Sequence, residues 1–283
     1  MAKSSYSSKK IASAASGGKA VEPRTGAMPM WVFSVAVLIM AGVAFLVVSA
    51  GLHSPSKPIE MPQANASNLT GGPTPIPKVG RPDLSIGYSS GNSSANIIFV
   101  EYSDFQCPYC SRVAPAVGKV RTDYPQIRFA FHHYPLSTHP DAQKAAEAAE
   151  CAGMQDRFWE MHNALFSNQN DLAISSLKGY AAALGLDAES FNRCLDTGQM
   201  EGAVNAQKLE GQGAGIRGTP GFLVFSTNGR DAALEKKLYA ISDRFRGLGV
   251  SSAVVEVQGA GSGIVFAGAM PYSDYQSVLD AFN

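Results

Sequence analysis

Charge is scarce in this 283-residue sequence. Only 16% of residues are Asp, Glu, Lys or Arg, and 23 basic residues balance 23 acidic ones. A nucleic-acid binder normally carries a basic surplus, so this balance argues against that class. Cysteine is also sparse, with four in all. An even count fits two disulfides in an oxidising compartment. The single C-x-x-C has no second copy, so a zinc site built on it would have only half its ligands. No internal repeat is visible. Long apolar runs are rare as well, and one of them is long enough to matter.

That run is Met30 to Leu52, "MWVFSVAVLIMAGVAFLVVSAGL". At about 1.5 Å per residue it would reach roughly 35 Å as a helix, enough to cross a hydrocarbon core of about 30 Å. Lys3, Lys9, Lys10, Lys19 and Arg24 precede it, and Lys57 alone follows closely. The positive-inside rule then expects residues 1–29 as a cytoplasmic basic tail, 30–52 as a transmembrane anchor with Trp31 at its interface, and the rest outside the cell membrane. A cleaved signal peptide is the competing reading, with Val48-Ser49-Ala50 as its small-residue site. The apolar run is longer than the usual core of about 7 to 15 residues, which favours a retained anchor.

Residues 53–80 are rich in Pro, Ser, Asn and Gly. They bury too little apolar surface to fold and read as a linker. Asn65, Asn68 and Asn92 begin N-x-[ST] patterns, which arise easily by chance in so Ser-rich a stretch. The folded domain is expected over 81–283. "NIIFVEY" (96–102) reads as a buried strand, the next segment as a helix to Tyr124, and "QIRFAFHHY" (126–134) as a second strand, a βαβ unit. A helical region follows over about 139–213. Ala142, Ala145, Ala146 and Ala149 share one face, as do Leu177, Tyr180, Ala181 and Leu184. Asp187 is the N-cap of a helix that carries Phe191, Cys194 and Leu195, with Gly198 as its stop. "GFLVFS" (221–226) returns to strand. A helix over 232–247, strands over 252–258 and 263–269, and a helix over 272–282 complete the chain. Phe158, Trp159 and Phe166 have core spacing.

The thiols of "SDFQCPYCSRVAP" carry the chemistry. With Cys107 as N-cap, Pro108 falls at the first helical position, where its fixed φ suits the turn. Cys110 lies one turn on, close enough for a disulfide. Free N–H groups and the helix dipole at Cys107 favour thiolate, which lowers such a pKa from about 8.5 to roughly 3.5–7.5. A nucleophilic sulfur that also leaves well is what disulfide exchange requires. A structural disulfide here would close too short a loop to stabilise much. For metal, only His132, His133 and His139 lie nearby, and adjacent histidines on a strand face opposite ways.

"VEYSDFQCPYC", the helical region and "GIRGTPGFLVF" (215–225), in that order, resemble the DsbA-like thiol-disulfide oxidoreductases. The resemblance covers about 96–225 and resumes over 264–282. It implies an α/β thioredoxin fold with an all-helical insertion over about 139–213. It implies that Glu101, six residues before Cys107, is a buried acid that shuttles protons; the alternative is a strand-end Glu facing solvent. It implies a cis bond at Thr219-Pro220, with the Thr219 backbone offered to an extended substrate peptide. Tyr109, between the thiols, would tune the potential. Some members carry a second cysteine pair in the positions of Cys151 and Cys194, 43 residues apart on two helices. A structural disulfide there is the leading reading, with free buried thiols or a second redox centre as alternatives. About thirty residues, 231–261, depart from the family pattern. They carry a charged helix, read as a solvated face, and an additional strand.

The expectation is a membrane-anchored, extracytoplasmic dithiol oxidase that needs no bound cofactor. Cys107, Cys110, Glu101, Pro108, Tyr109, Thr219 and Pro220 form its site, and exported polypeptides are its substrates. The resemblance implies reoxidation by a membrane quinone-linked protein. A disulfide reductase or isomerase is the alternative, and a thiol-based metal carrier a more distant one.

Overall fold

The structure, a computed structural model, describes residues 76–283. The expected tail, the anchor and all but the end of the linker lie outside the described residues. Among the described residues no helix is long and apolar enough to cross a membrane.

The strands are β1 (Lys78–Val79), β2 (Tyr88–Gly91), β3 (Ile97–Ser103), β4 (Arg128–His133), β5 (Gly221–Ser226), β6 (Ser252–Val257) and β7 (Ser262–Ala267). They form one sheet in the order β1-β6-β7-β5-β3-β4-β2. β3 and β4 are parallel, and helix α1 (Pro108–Asp123) connects them. Both strands are buried nearly throughout, as continuous apolar runs require when helices cover two faces of a sheet.

Between β4 and β5 the chain forms five helices: α2 (Ala142–Gly153), α3 (Phe158–Ser167), α4 (Ile174–Ala183), α5 (Ala188–Asp196) and α6 (Glu201–Gly213). After β5 come α7 (Ala232–Gly247) and, at the end, α8 (Tyr272–Ala281). The main core joins one face of the sheet (Phe99, Phe129, Phe222, Phe266) to α1, α3, α7 and α8. A smaller core on the other face gathers Val100, Tyr102, Leu223 and Val255 with Ala214 and Ile216, just beyond α6. Gly211 of α6 lies so close to that face that a Cβ would stand 2.8 Å from the Tyr102 ring, so the approach of α6 to the sheet requires glycine there.

Local signals act as their chemistry dictates. The Asp187 carboxylate accepts from Ser190 N at the start of α5, and Phe191, Cys194 and Leu195 are buried on that helix. Cys194 is disulfide-bonded to Cys151 of α2, with Cα atoms 5.9 Å apart.

Three features differ from expectation. Lys78–Val79, inside the stretch read as linker, pairs in parallel with β6, where the Glu256 N–H donates to Pro77 O at 2.8 Å. β2, "YSSG", shows no apolar alternation; it is held against β4, and Tyr88 stacks on Phe158 with centroids 3.6 Å apart. The additional strand expected within 231–261 is β6, which pairs with both β7 and β1. The charge run of α7 is not wholly solvated: Glu235 is buried, taking Arg230 Nε at 2.8 Å and Nη2 at 2.9 Å together with the Ser262 hydroxyl at 2.8 Å.

The Cys151–Cys194 bond closes a sequence separation of 43 residues. Chain entropy assigns about 4 kcal/mol to a loop of that length. The double variant Cys151→Ala, Cys194→Ala is expected to lose up to about that much in denaturant unfolding; no loss would show that packing alone holds α2 to α5.

Candidate active site

The site is built where β3 ends. Phe99, Glu101 and Ser103 alternate onto the face covered by α1. The chain then turns at Asp104, whose carboxylate is a template for the turn. Oδ1 accepts from Gln106 N at 2.7 Å, while Oδ2 accepts from Leu136 N at 2.8 Å and lies 2.8 Å from His139 Nδ1. Gln106 and Asp141 hold each other twice: Gln106 Nε2 donates to Asp141 Oδ2 at 2.9 Å, and Asp141 N donates to Gln106 Oε1 at 2.8 Å. The turn is thus fixed to the start of the helical insertion before the first cysteine is reached.

Cys107 is the N-cap of α1 with extended backbone, and Pro108 opens the helix. Cys110, one turn on, is fully buried, and both thiols are free. The β3–β5 register sets their neighbour. Tyr102 pairs with Gly221, which brings the preceding Thr219-Pro220 to the cysteines. That peptide bond is cis, and the Cys107 thiol donates to Thr219 O at 3.5 Å.

The two sulfurs titrate in opposite directions. The Cys107 thiol is lowered to about 6. A hydrogen bond from Cys110 is the largest cause, followed by the Thr219 side chain and the N–H groups of Cys110 and Tyr109; burial opposes them. Cys110 is pushed well above the ordinary range, first by burial, then by its hydrogen bond to Cys107 and by the charge there. One sulfur is ionised at neutral pH and the other keeps its proton.

Glu101 lies beneath α1, 2% exposed, and its Oε1 has no hydrogen-bond partner. Burial raises it to about 7, while Ser103 and the charge of Arg121 pull the other way. It is not a solvent-facing strand-end residue. Between α1 and α3 a cleft of about 430 Å³ has Glu101 in its lining, with Ala114, Gly118, Arg121, Trp159 and Phe166. The Arg121 guanidinium stacks 3.5 Å from the Trp159 ring centroid and its Nε donates to Ser90 Oγ at 3.2 Å. Phe158 and Phe166 are core residues, as their spacing suggests, whereas Trp159 is only partly buried. Tyr109 is exposed, its ring 5.2 Å from the Arg112 guanidinium.

Cys107, Cys110, Pro108, Tyr109, Thr219 and Pro220 are thus gathered at one helix start, while Glu101 lies farther along, under the body of α1. Cys151 and Cys194 stand apart, within the insertion. The histidines weighed as metal ligands diverge: His132 Nδ1 meets Glu210 Oε1 at 3.1 Å, and His133 Nε2 meets Glu150 Oε1 at 3.3 Å. Among the described residues no group of three or more His, Cys, Asp or Glu could hold a metal. Sequence reasoning passed over Asp104, Gln106, Arg121 and Asp141, and weighed His139 only as a metal ligand. Only "SD" after the strand hinted at a capped turn.

Glu101 is neutral in the fold up to about pH 7 but ionises from an ordinary value of 4.5 when unfolded. Its raised pKa means stability falls as pH rises from 4.5 to 7, by about 3 kcal/mol over that interval. Glu101→Gln is expected to match the reduced wild type near pH 4.5 and to exceed it by about that amount above pH 7. A pH-independent difference between the two unfolding curves would contradict this.

Comparisons with known proteins agree with the architecture. Residues 86–240, more than half the chain, match the family Thioredoxin_4, described as thioredoxin. The fold is similar to that of the thiol-disulfide exchange protein alpha-DsbA2 of Wolbachia pipientis, at TM-score 0.52 and 18% identity over 71% of this chain and 89% of that one. It is also similar to BcfH of Salmonella enterica Typhimurium, at TM-score 0.53 and 20% identity over 70% and 75%. A segment of 143 residues, 50% of this chain, is 45% identical to the Na(+)/H(+) antiporter NhaA 1 of Salinispora arenicola, and spans only 21% of that protein. The sheet, the helical insertion and the paired thiols at the start of α1 thus go together with the family match: the chain belongs to the thioredoxin family and has its fold.

Proposed function

We propose that this chain is an oxidase that forms disulfides in exported polypeptides, working outside the cell membrane on an anchor formed by residues 30–52. The observation that carries this reading is the inequality of the two thiols. A site that stabilises the Cys107 thiolate stabilises the reduced form, and a stable reduced form makes the disulfide a strong oxidant.

In the oxidised protein a substrate thiolate attacks Cys107 Sγ. The Cys107–Cys110 bond breaks, and Cys110 leaves with the electron pair. Its high proton affinity and its burial call for a proton at once, and neutral Glu101 supplies it. A second substrate thiolate then attacks the substrate sulfur of the mixed disulfide. Cys107 leaves as thiolate, so the substrate loses two electrons and the dithiol gains them. In the reverse direction Cys110 would resolve the mixed disulfide. The Thr219 backbone beside Cys107 suits an extended peptide laid along the loop. Continued turnover requires an oxidant, for which a membrane quinone-linked protein is proposed. No ion transport is proposed here, since only a fifth of the antiporter is matched.

A reductase or isomerase would use the same sulfurs at a different potential. Equilibration with graded glutathione separates the two. A potential near about −120 mV supports the oxidase, and one near about −270 mV overturns it in favour of reduction. In the same assay format, Cys110→Ser should accumulate mixed disulfides with a reduced, unfolded client and Cys107→Ser none; equal trapping by both would remove Cys107 from its role.

A further inference from the structure

The loop between α3 and α4 reaches the catalytic turn through one side chain. Gln169 Nε2 donates to Phe105 O at 2.6 Å and to Cys107 O at 2.9 Å. Both amide hydrogens are therefore used on backbone carbonyls two residues apart. The loop that carries Gln169 is itself held in place. Asn168 Nδ2 donates to Ala164 O at 2.8 Å, Asp171 N donates to Asn168 O at 2.9 Å, and the Tyr180 hydroxyl donates to Asp171 O at 2.7 Å. Ser111 Oγ, on α1, donates to Phe166 O at 3.3 Å. The Phe105 and Phe166 rings pack at 4.9 Å.

The Cys107 carbonyl also accepts from Cys110 N at 3.1 Å and Ser111 N at 3.2 Å. Its direction is set by ψ of Cys107, the same rotation that places the N-cap relative to the first turn of α1. A donor clamped on this carbonyl and on that of Phe105 restricts the backbone of Gln106 and Cys107 together. Its partial positive charge also offsets a carbonyl dipole that would otherwise oppose a negative sulfur nearby.

We propose that Gln169 is a positioning residue for Cys107: by gathering the Phe105 and Cys107 carbonyls on its amide, it makes the helical insertion set the orientation of the reactive sulfur. This rests on the oxidase reading of the same site and adds to it a control exerted from outside the C-x-x-C segment. The donor belongs to neither the strand–helix turn nor the Thr-Pro loop.

The test compares Gln169→Met, which keeps length but loses both donors, with Gln169→Glu, which keeps shape and adds charge. In each reduced protein the thiolate of Cys107 is titrated by its ultraviolet absorbance, and thermal unfolding is recorded alongside. Loss of the amide is expected to raise the Cys107 pKa by about half a unit to one unit, the size that one ordinary hydrogen bond supplies. Gln169→Glu should raise it further, and both variants should become weaker oxidants against glutathione. A lowered melting temperature with an unmoved thiolate titration in both variants would make Gln169 merely structural and overturn the inference, leaving the oxidase reading intact. A wild-type Cys107 that titrates like free cysteine would overturn both.

Discussion

A single negative charge has to be held on Cys107 Sγ without a cation beside it. The structure does this with the dipoles of a helix start and a thiol hydrogen bond, and everything else in the site serves that arrangement. Pro108 fixes the first helical residue without leaving an unused N–H. Cys110 supplies a proton for the hydrogen bond and, being buried, does not compete for the charge. The Asp104 template and the Gln106–Asp141 pair fix the turn. The β3–β5 register carries Thr219 to the sulfur.

The same economy leaves polar groups unsatisfied. Glu101 Oε1, Ser103 Oγ, Thr219 Oγ1 and the Tyr275 hydroxyl are buried without hydrogen-bond partners. Such groups are rare in stable cores because each costs desolvation energy that nothing offsets. Two of them bear on the thiols, Ser103 on Cys110 and Thr219 on Cys107, each favouring the charged sulfur, while burial and the charges of Glu101 and Cys110 hold the Tyr275 hydroxyl protonated. A site that must accept and release protons as its sulfurs pass between thiol, thiolate and disulfide needs groups with spare capacity. Stability lost under α1 is recovered in the paired aromatic core around Phe99, Phe222 and Phe266 and in the Cys151–Cys194 bond.

Much of this was legible before the structure, wherever cause and effect lie close along the chain. The βαβ unit follows from two apolar runs flanking a proline-led helix, and α5 follows from Asp187 and its apolar spacing. What was hidden depends on partners chosen by the tertiary fold. β1 has two residues and is a strand only because β6 offers an edge. β2 has the composition of a loop, and Tyr88 on Phe158 holds it. Glu235 reads as one charge among many on α7 until Arg230 and Ser262 close around it. Within the site, the cysteines and the Thr-Pro loop announce themselves by type and order. Asp104, Gln106, Arg121 and Gln169 are ordinary polar residues whose importance lies in what they reach across the sheet and the insertion.

The central claim is that Cys107 alone carries the charge. Its most direct measurement is the rate of alkylation of the reduced protein by a small haloacetamide as a function of pH, with each cysteine assigned by mass spectrometry. The account predicts modification confined to Cys107, with a midpoint near pH 6 and no reaction at Cys110 through neutral pH. A midpoint near about 8.5, the value of an unperturbed thiol, or equal labelling of the two cysteines, would contradict it.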